Sequence, residues 1–127
     1  MLPLAKYKNE KVTVDGETFD SRKEFYRYLE LRLMERAGKI TDLRRQVRYE
    51  LVPPQYDPVE RYSEKTGLRL RDGKKIAERG VYYIADFVYS VPNGSTVVED
   101  VKGMKTTEYV IKRKLMRYVH GIKILET

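Results

Sequence analysis

The stretch Val81-Tyr82-Tyr83-Ile84-Ala85-Asp86-Phe87-Val88-Tyr89-Ser90-Val91-Pro92-Asn93-Gly94-Ser95-Thr96-Val97-Val98-Glu99-Asp100-Val101-Lys102-Gly103 decides the fold. Val81–Val91 and Ser95–Lys102 read as two strands, rich in Val, Ile, Tyr and Phe. Apolar residues fall on both faces of each, which predicts a sheet covered on both sides. Between them, Pro92 suits the first central position of a type I turn and Gly94 the left-handed position that follows. A three-residue hairpin loop of this kind pairs Val91 with Ser95. Counting outward then sets Asp86 directly opposite Asp100, with Cβ atoms roughly 4.5–5.5 Å apart. A two-residue Asn-Gly turn would instead shift the register by one and send the two acids to opposite faces.

That register matters because Asp86 is a lone carboxylate in an almost uncharged strand. Burying it is costly unless it is paired or binds a metal. Strand alternation puts Lys102 on the face of Asp100 and sends Glu99 to the other. Two facing carboxylates repel each other and suit a cation such as Mg²⁺, which keeps waters and accepts phosphate oxygens. Lys102 beside them is placed to position or deprotonate a water, or simply to pair with Asp100. A bulge in the second strand would substitute Glu99 for Asp100.

Outward from this hairpin, Gly103 breaks the strand and Thr106 or Thr107 caps a helix to about Tyr118. Ile122–Leu125 closes as a short strand. On the N-terminal side, Arg48–Val52 reads as a strand stopped by Pro53-Pro54. Residues 55–79 read as an inserted basic loop or ragged hairpin, with turns at Thr66-Gly67 and Asp72-Gly73. Its cations offer either a solvated loop or a DNA-contacting arm. Earlier still, Ser21 and Glu24 form a capping box. Phe25, Leu29 and Leu33 give that helix an apolar stripe, and Gly38 ends it. Residues 7–19 form an N-terminal hairpin turned at Asp15-Gly16. The fold class is therefore α/β, in one domain spanning 1–127.

Composition narrows the chemistry. The absence of cysteine excludes disulfides, thiolate metal sites and cysteine nucleophiles. A net charge of +7, from 26 Lys+Arg against 19 Asp+Glu, favours a polyanionic partner. No apolar run approaches ~20 residues, and the N-terminus lacks a secretory signal, so an intracellular, cytoplasmic protein without membrane contact is expected. The second helix carries Lys105, Lys112, Arg113, Lys114 and Arg117 against Glu108 alone, a surface for phosphates or a solvated face. His120, the single histidine, has no partner motif and reads as structural.

Asp86 followed across a hairpin by Asp100-Val101-Lys102 resembles the D…(D/E)xK signature of the PD-(D/E)XK, or restriction-endonuclease-like, nuclease superfamily. The resemblance runs from Phe19 to Met116 outside the insertion, although Ala85 stands where the superfamily's name has proline. It implies an αβββαβ core with a mixed central sheet flanked by helices. It also implies catalysis by Asp86, Asp100 and Lys102, with Glu24 of the first helix as a further acid and Gln46 reaching the site. Glu24 serves equally as a cap, and Gln46 equally as a polar residue at a strand start. Metal ligands would be Asp86, Asp100, the Val101 backbone carbonyl and Glu24, holding Mg²⁺ or, in substitution, Mn²⁺. Lys105, Tyr109, Lys112, Arg113 and Lys114 would contact DNA.

The fuller pattern is similar to a phage- and prophage-encoded endonuclease-like family suggested to resolve branched DNA, which implies a bacterial host cell. The resulting expectation is a metal-dependent endonuclease acting on branched or structured DNA, Holliday-junction-resolvase-like. Two symmetric cuts on a four-way junction would make a homodimer its natural unit. An exonuclease or nicking enzyme with the same site is the alternative. A non-catalytic basic DNA-binding protein is the alternative from outside enzymology.

Overall fold

A computed structural model describes residues 10–127. Its elements are β1 (Val12–Val14), β2 (Glu17–Phe19), α1 (Arg22–Arg36), β3 (Thr41–Val52), β4 (Gln55–Val59), β5 (Gly73–Glu78), β6 (Val81–Ser90), β7 (Thr96–Asp100), α2 (Thr107–His120) and β8 (Leu125–Glu126). The central sheet has the order β3-β6-β7-β8. Its first two pairings are antiparallel and the last, β7 with β8, is parallel. The fold is thus mixed α/β, with two helices around a mixed sheet among the described residues. Among the described residues no helix is long and apolar enough to cross a membrane. Residues 7–9 of the expected N-terminal hairpin lie outside the described residues, and the remainder forms β1 and β2.

The β6–β7 turn takes the three-residue form. Val91 N–H donates to Ser95 O at 3.0 Å, and Gly94, at φ +89°, donates to Val91 O at 2.9 Å. The register runs from Ser90↔Thr96 to Phe87↔Glu99. Both faces of the resulting sheet are covered. Leu31, Ile40, Phe87 and Tyr89 form a buried cluster on the α1 side. Leu51, Tyr83, Ala85, Val88, Val98, Tyr109, Met116 and Ile124 form a larger one on the α2 side.

Two strands differ most in their bounds from the sequence expectation. β3 begins at Thr41, not Arg48. Its added half carries Asp42, Arg44 and Arg45, which hid it, yet β3 is an edge strand, where charged side chains are tolerated. The last strand is Leu125–Glu126 instead of Ile122–Leu125, because Ile122 and Ile124 pack against α2 outside the ladder. Of the two forms expected for the insertion, loop or ragged hairpin, it takes the hairpin, with Tyr56↔Ile76, Asp57↔Lys75 and Pro58↔Lys74 among its pairs.

The inner face of α1 also differs. Leu29 and Leu33 point outward, Leu33 being 64% exposed. The residues turned to the sheet are Glu24, Arg27, Tyr28, Leu31 and Met34, spaced for one helix face. Two of these five are charged. Glu99, 0% exposed, takes both ends of the Arg27 guanidinium, at 2.7 and 2.9 Å, with a further bond from Tyr89 Oη at 2.8 Å. An inner face that carries an ion pair and an acid does not announce itself by hydrophobicity.

Candidate metal centre

The sheet forks at the motif. β6 and β7 pair only as far as Phe87↔Glu99. Asp86 and Asp100, expected to face each other as a ladder pair, are therefore not one, because the strands part before reaching them. Beyond that point β7 turns to the C-terminal strand, with Thr127 N–H bonded to Asp100 O and Lys102 N–H to Thr127 O, each at 3.0 Å. Val101 N–H, left without a ladder partner on β6, donates to Asp86 Oδ2 at 2.8 Å. A carboxylate thus fills the gap that the parting strands open.

The other side of Asp86 is shaped by a matching irregularity in β3. Val47 pairs with Ala85 and Arg45 with Phe87, so Gln46 stands beside Asp86. Gln46 has φ +52°, a left-handed conformation that costs a non-glycine residue about 1–3 kcal/mol. Leu43 packs on the α1 side, whereas Val47, Tyr49 and Leu51 pack on the α2 side. In β6 likewise, Tyr83 and Ala85 lie on the α2 side, and Phe87 and Tyr89 on the α1 side. In a regular strand residues two apart share a face, so both strands exchange faces at the Gln46–Asp86 position. Such irregularities re-aim a side chain. Gln46 lies inside β3, not ahead of it as the sequence suggested, and its Nε2 donates to Glu24 Oε1 at 3.1 Å.

Glu24 is both cap and site residue. Its N–H donates to Ser21 Oγ at 3.1 Å, and its Oε2 accepts from Asp20 N–H at 3.1 Å. Its carboxylate is buried, and that burial, with Asp20 and Asp100 nearby, raises its pKa against the lowering effects of the Asp20 N–H and Arg45. Carboxylate oxygens of Asp20, Glu24 and Asp86 lie within 4.8 Å of one another. Asp20 went unmarked in the sequence because it precedes the helix by two residues. Only the corner between β2 and α1 swings it to the fork.

Asp100, 2% exposed, lies outside that group of three but lines the same cleft as Asp20 and Asp86. Tyr83 Oη donates to its Oδ2. Its buried Oδ1 faces Lys102 Nζ at 3.0 Å but has no hydrogen bond of good geometry, so it keeps an acceptor orbital free. Asp86, Asp100, Lys102 and Gln46 line one cleft of about 340 Å³, into which Asp20, Tyr82 and Lys112 also project. Glu99 does not belong to it, being held on the α1 side by Arg27.

Burial and then the charges of Asp100 and Glu24 push Asp86 from 3.8 up to about 8. A carboxyl raised on folding stabilises the fold below its unfolded value, and that contribution is lost as pH climbs through the folded value. Metal-free protein should therefore melt lower at pH 8.5 than at pH 5.5. Asp86→Asn should remove most of that difference, raising Tm at pH 8.5 by about 4 °C, the shift that roughly 1 kcal/mol gives a domain of this size. Calorimetry in EDTA at both pH values reads it. A wild-type Tm independent of pH over that interval would show that the acids do not repel.

The helix cations divide. Lys112 lines the cleft and also holds Glu108 at 3.0 Å. Arg113 and Lys114 line a different hollow with Arg117 and Lys123. Lys105, which precedes the Thr106 N-cap and so lies outside α2, and Arg113 both reach Glu126, at 3.3 and 3.4 Å. Tyr109 is buried, with Lys102 Nζ 4.2 Å from its ring centre, so it supports the lysine and offers no exposed face to DNA. His120 bonds Glu50 O at 2.7 Å and packs on Tyr49, in keeping with a structural role.

Residues 4–124 match the model of the family described as "Protein of unknown function (DUF1064)", and the chain belongs to that family. No curated protein and no solved structure matches the chain.

Proposed function

We propose that this member of the family is a Mg²⁺-dependent deoxyribonuclease of the restriction-endonuclease-like kind, hydrolysing phosphodiester bonds of DNA. The observation that carries the reading is the convergence of Asp86 and Asp100 on one cleft at the fork, with Lys102 at 3.0 Å from Asp100. The element order from α1, leaving out the β4–β5 ribbon, is helix, three strands, helix, strand, which agrees with the superfamily's core.

The residues fit a divalent cation. The Asp100 oxygen without a hydrogen bond and the cluster of Asp20, Glu24 and Asp86 supply the hard oxygen donors such ions prefer. Asp86 and Asp100 would hold it, with Glu24, Asp20 and the Val101 carbonyl as further donors. When bound, the ion polarises a phosphate oxygen and activates a water molecule. The protein's own part is orientation. Tyr83 and Lys102 fix the Asp100 carboxylate, Val101 N–H fixes Asp86, and Gln46 fixes Glu24. Lys102, 3.0 Å from Asp100, would offset charge developing on phosphorus, while Arg45, 3.7 Å from Glu24, is a second cation at these acids.

The test is cleavage of a panel of duplex, flap, single-stranded and four-way DNA with Mg²⁺, Mn²⁺ or EDTA. We expect metal-dependent cleavage, strongest on branched DNA, and a homodimer by sedimentation. Failure on every substrate would overturn the reading. Lys102→Ala should lower single-turnover cleavage about 10²–10³-fold, the range seen when a charge-stabilising donor is removed, with affinity little changed. Lys112→Ala should do the reverse, weakening binding and reducing its salt slope by about one counterion. Lys114→Ala, on the other side of α2, should leave both near wild type. Exchanged phenotypes for Lys102 and Lys112 would refute this division.

A further inference from the structure

We infer that the β4–β5 ribbon is a DNA-binding arm that enters the major groove of duplex DNA several base pairs from the cleft. The inference extends the proposed nuclease reading, but its binding test does not need cleavage.

The ribbon is a two-stranded sheet of its own, and neither strand packs to any extent on another helix or strand. Two-stranded hairpins are marginal alone in water, so one kept off the core calls for a ligand to cover it. The Tyr62↔Arg69 bridge, backed by Leu70 N–H on Arg61 O at 2.8 Å, carries the pairing outward from the core. From Gln55 to Tyr62 this spans roughly 25 Å at the usual rise per residue.

The surface has the character of a nucleic-acid contact. Tyr56 and Ile76 face each other as a cross-strand pair, 52% and 57% exposed, and Lys74 lies on the same face two residues from Ile76. The return limb carries Arg69, Arg71, Lys74, Lys75 and Arg79 against Asp72 and Glu78. Asp72 is occupied by Arg69 at 3.1 Å, while the other four cations have no carboxylate within ion-pair range. Free cations beside an exposed tyrosine complement a polyanion better than a second copy of the same basic limb. A two-stranded ribbon is also a shape that the major groove of B-form DNA admits.

The ribbon is continuous with the cleft. Beside the cleft lies a second hollow lined by Gly80, Val81 and Ile111, and both share Tyr82, Glu108 and Lys112. This track follows β6 from Asp86 to Val81, roughly 17 Å, or about five base-pair steps of duplex. Tyr82 firms the ribbon's base, its ring 3.6 Å from the Arg48 guanidinium and close enough to Gly80 that a Cβ there would meet it at 2.7 Å.

The experiment measures binding of the full chain to a 30-base-pair DNA duplex at several salt concentrations, with Ca²⁺ in place of Mg²⁺. A duplex RNA of the same sequence runs in parallel. The variants are Arg71→Gln/Lys74→Gln/Lys75→Gln, which removes the charges but keeps unbranched polar side chains, and Tyr56→Thr/Ile76→Thr, which keeps strand-forming residues. Equal melting with the wild type controls for folding. The triple variant should bind DNA at least tenfold more weakly, with its salt slope reduced by about two to three counterions. The wild type should prefer DNA to RNA, whose deep, narrow major groove excludes the ribbon. Unchanged affinity in the triple variant, or equal binding of DNA and RNA, overturns the inference. So does sedimentation of a wild-type dimer that the Tyr56→Thr/Ile76→Thr variant dissociates, since a second copy would then be the occupant. Loss of binding in the ribbon variants of a protein that cleaves no substrate would support the arm and refute the nuclease reading.

Discussion

Asp86→Asn or Asp100→Asn should abolish Mg²⁺-dependent cleavage, by about 10³-fold or more, while DNA binding stays intact or tightens. The two halves of this expectation have one cause. Both side chains reach the cleft and neither belongs to a cationic surface, so each removes negative charge from the path of a polyanion. Under the proposed function each would also remove a charged donor from the divalent cation, and with it Lewis-acid stabilisation of the developing charge. The amide is nearly isosteric, and at Asp86 it still presents an oxygen to Val101 N–H. Loss of structure therefore does not mimic loss of chemistry. Single-turnover cleavage and equilibrium binding measured on the same preparation separate the two. Wild-type turnover in either variant would place the active site elsewhere.

The hairpin register as far as Phe87↔Glu99 and the placing of Lys102 beside Asp100 were legible in sequence, because a turn's φ requirement and a strand's alternation are local rules. The parting of the strands before Asp86 and Asp100 was not. Pro92 and Gly94 specify the loop, and the loop specifies which residues face each other. What was not legible depends on contacts distant in sequence. Gln46 adopts a left-handed conformation that nothing in its neighbours demands, and the face exchange in β3 and β6 is visible only once the two strands are paired. Asp20 joins the acids only because the β2–α1 corner folds back on the fork. The helix face was misread for a related reason. The apolar series Phe25, Leu29, Leu33 is the better hydrophobic stripe, yet the sheet receives Glu24 and Arg27, whose partners lie on other elements.

That buried pair has the second large consequence, on stability. Arg27→Ala should destabilise the protein by about 3–5 kcal/mol, the cost of stranding a buried charge whose partner is removed. Glu99 is fully inaccessible, and with Arg27 gone its remaining donors would be the hydroxyls of Tyr89 and Thr127, at 2.8 and 3.2 Å. Two neutral donors do not compensate a carboxylate in that setting. Arg27→Met/Glu99→Gln should recover most of the loss, because the pair's net contribution is small next to the penalty for breaking it, and glutamine still accepts from Tyr89. The pair also holds the face of β7. Glu99 and Asp100 are adjacent acids on opposite faces, and a one-residue slip would send Glu99 to the cleft and Asp100 to Arg27. The guanidinium, held on α1, takes Glu99 in a two-pronged contact and so fixes which acid reaches the fork. Urea denaturation of the single and double variants measures the energies. If Arg27→Ala cost less than 1 kcal/mol, or the double variant were no better than the single, Glu99 would not depend on Arg27 and the aim of Asp100 would need another cause.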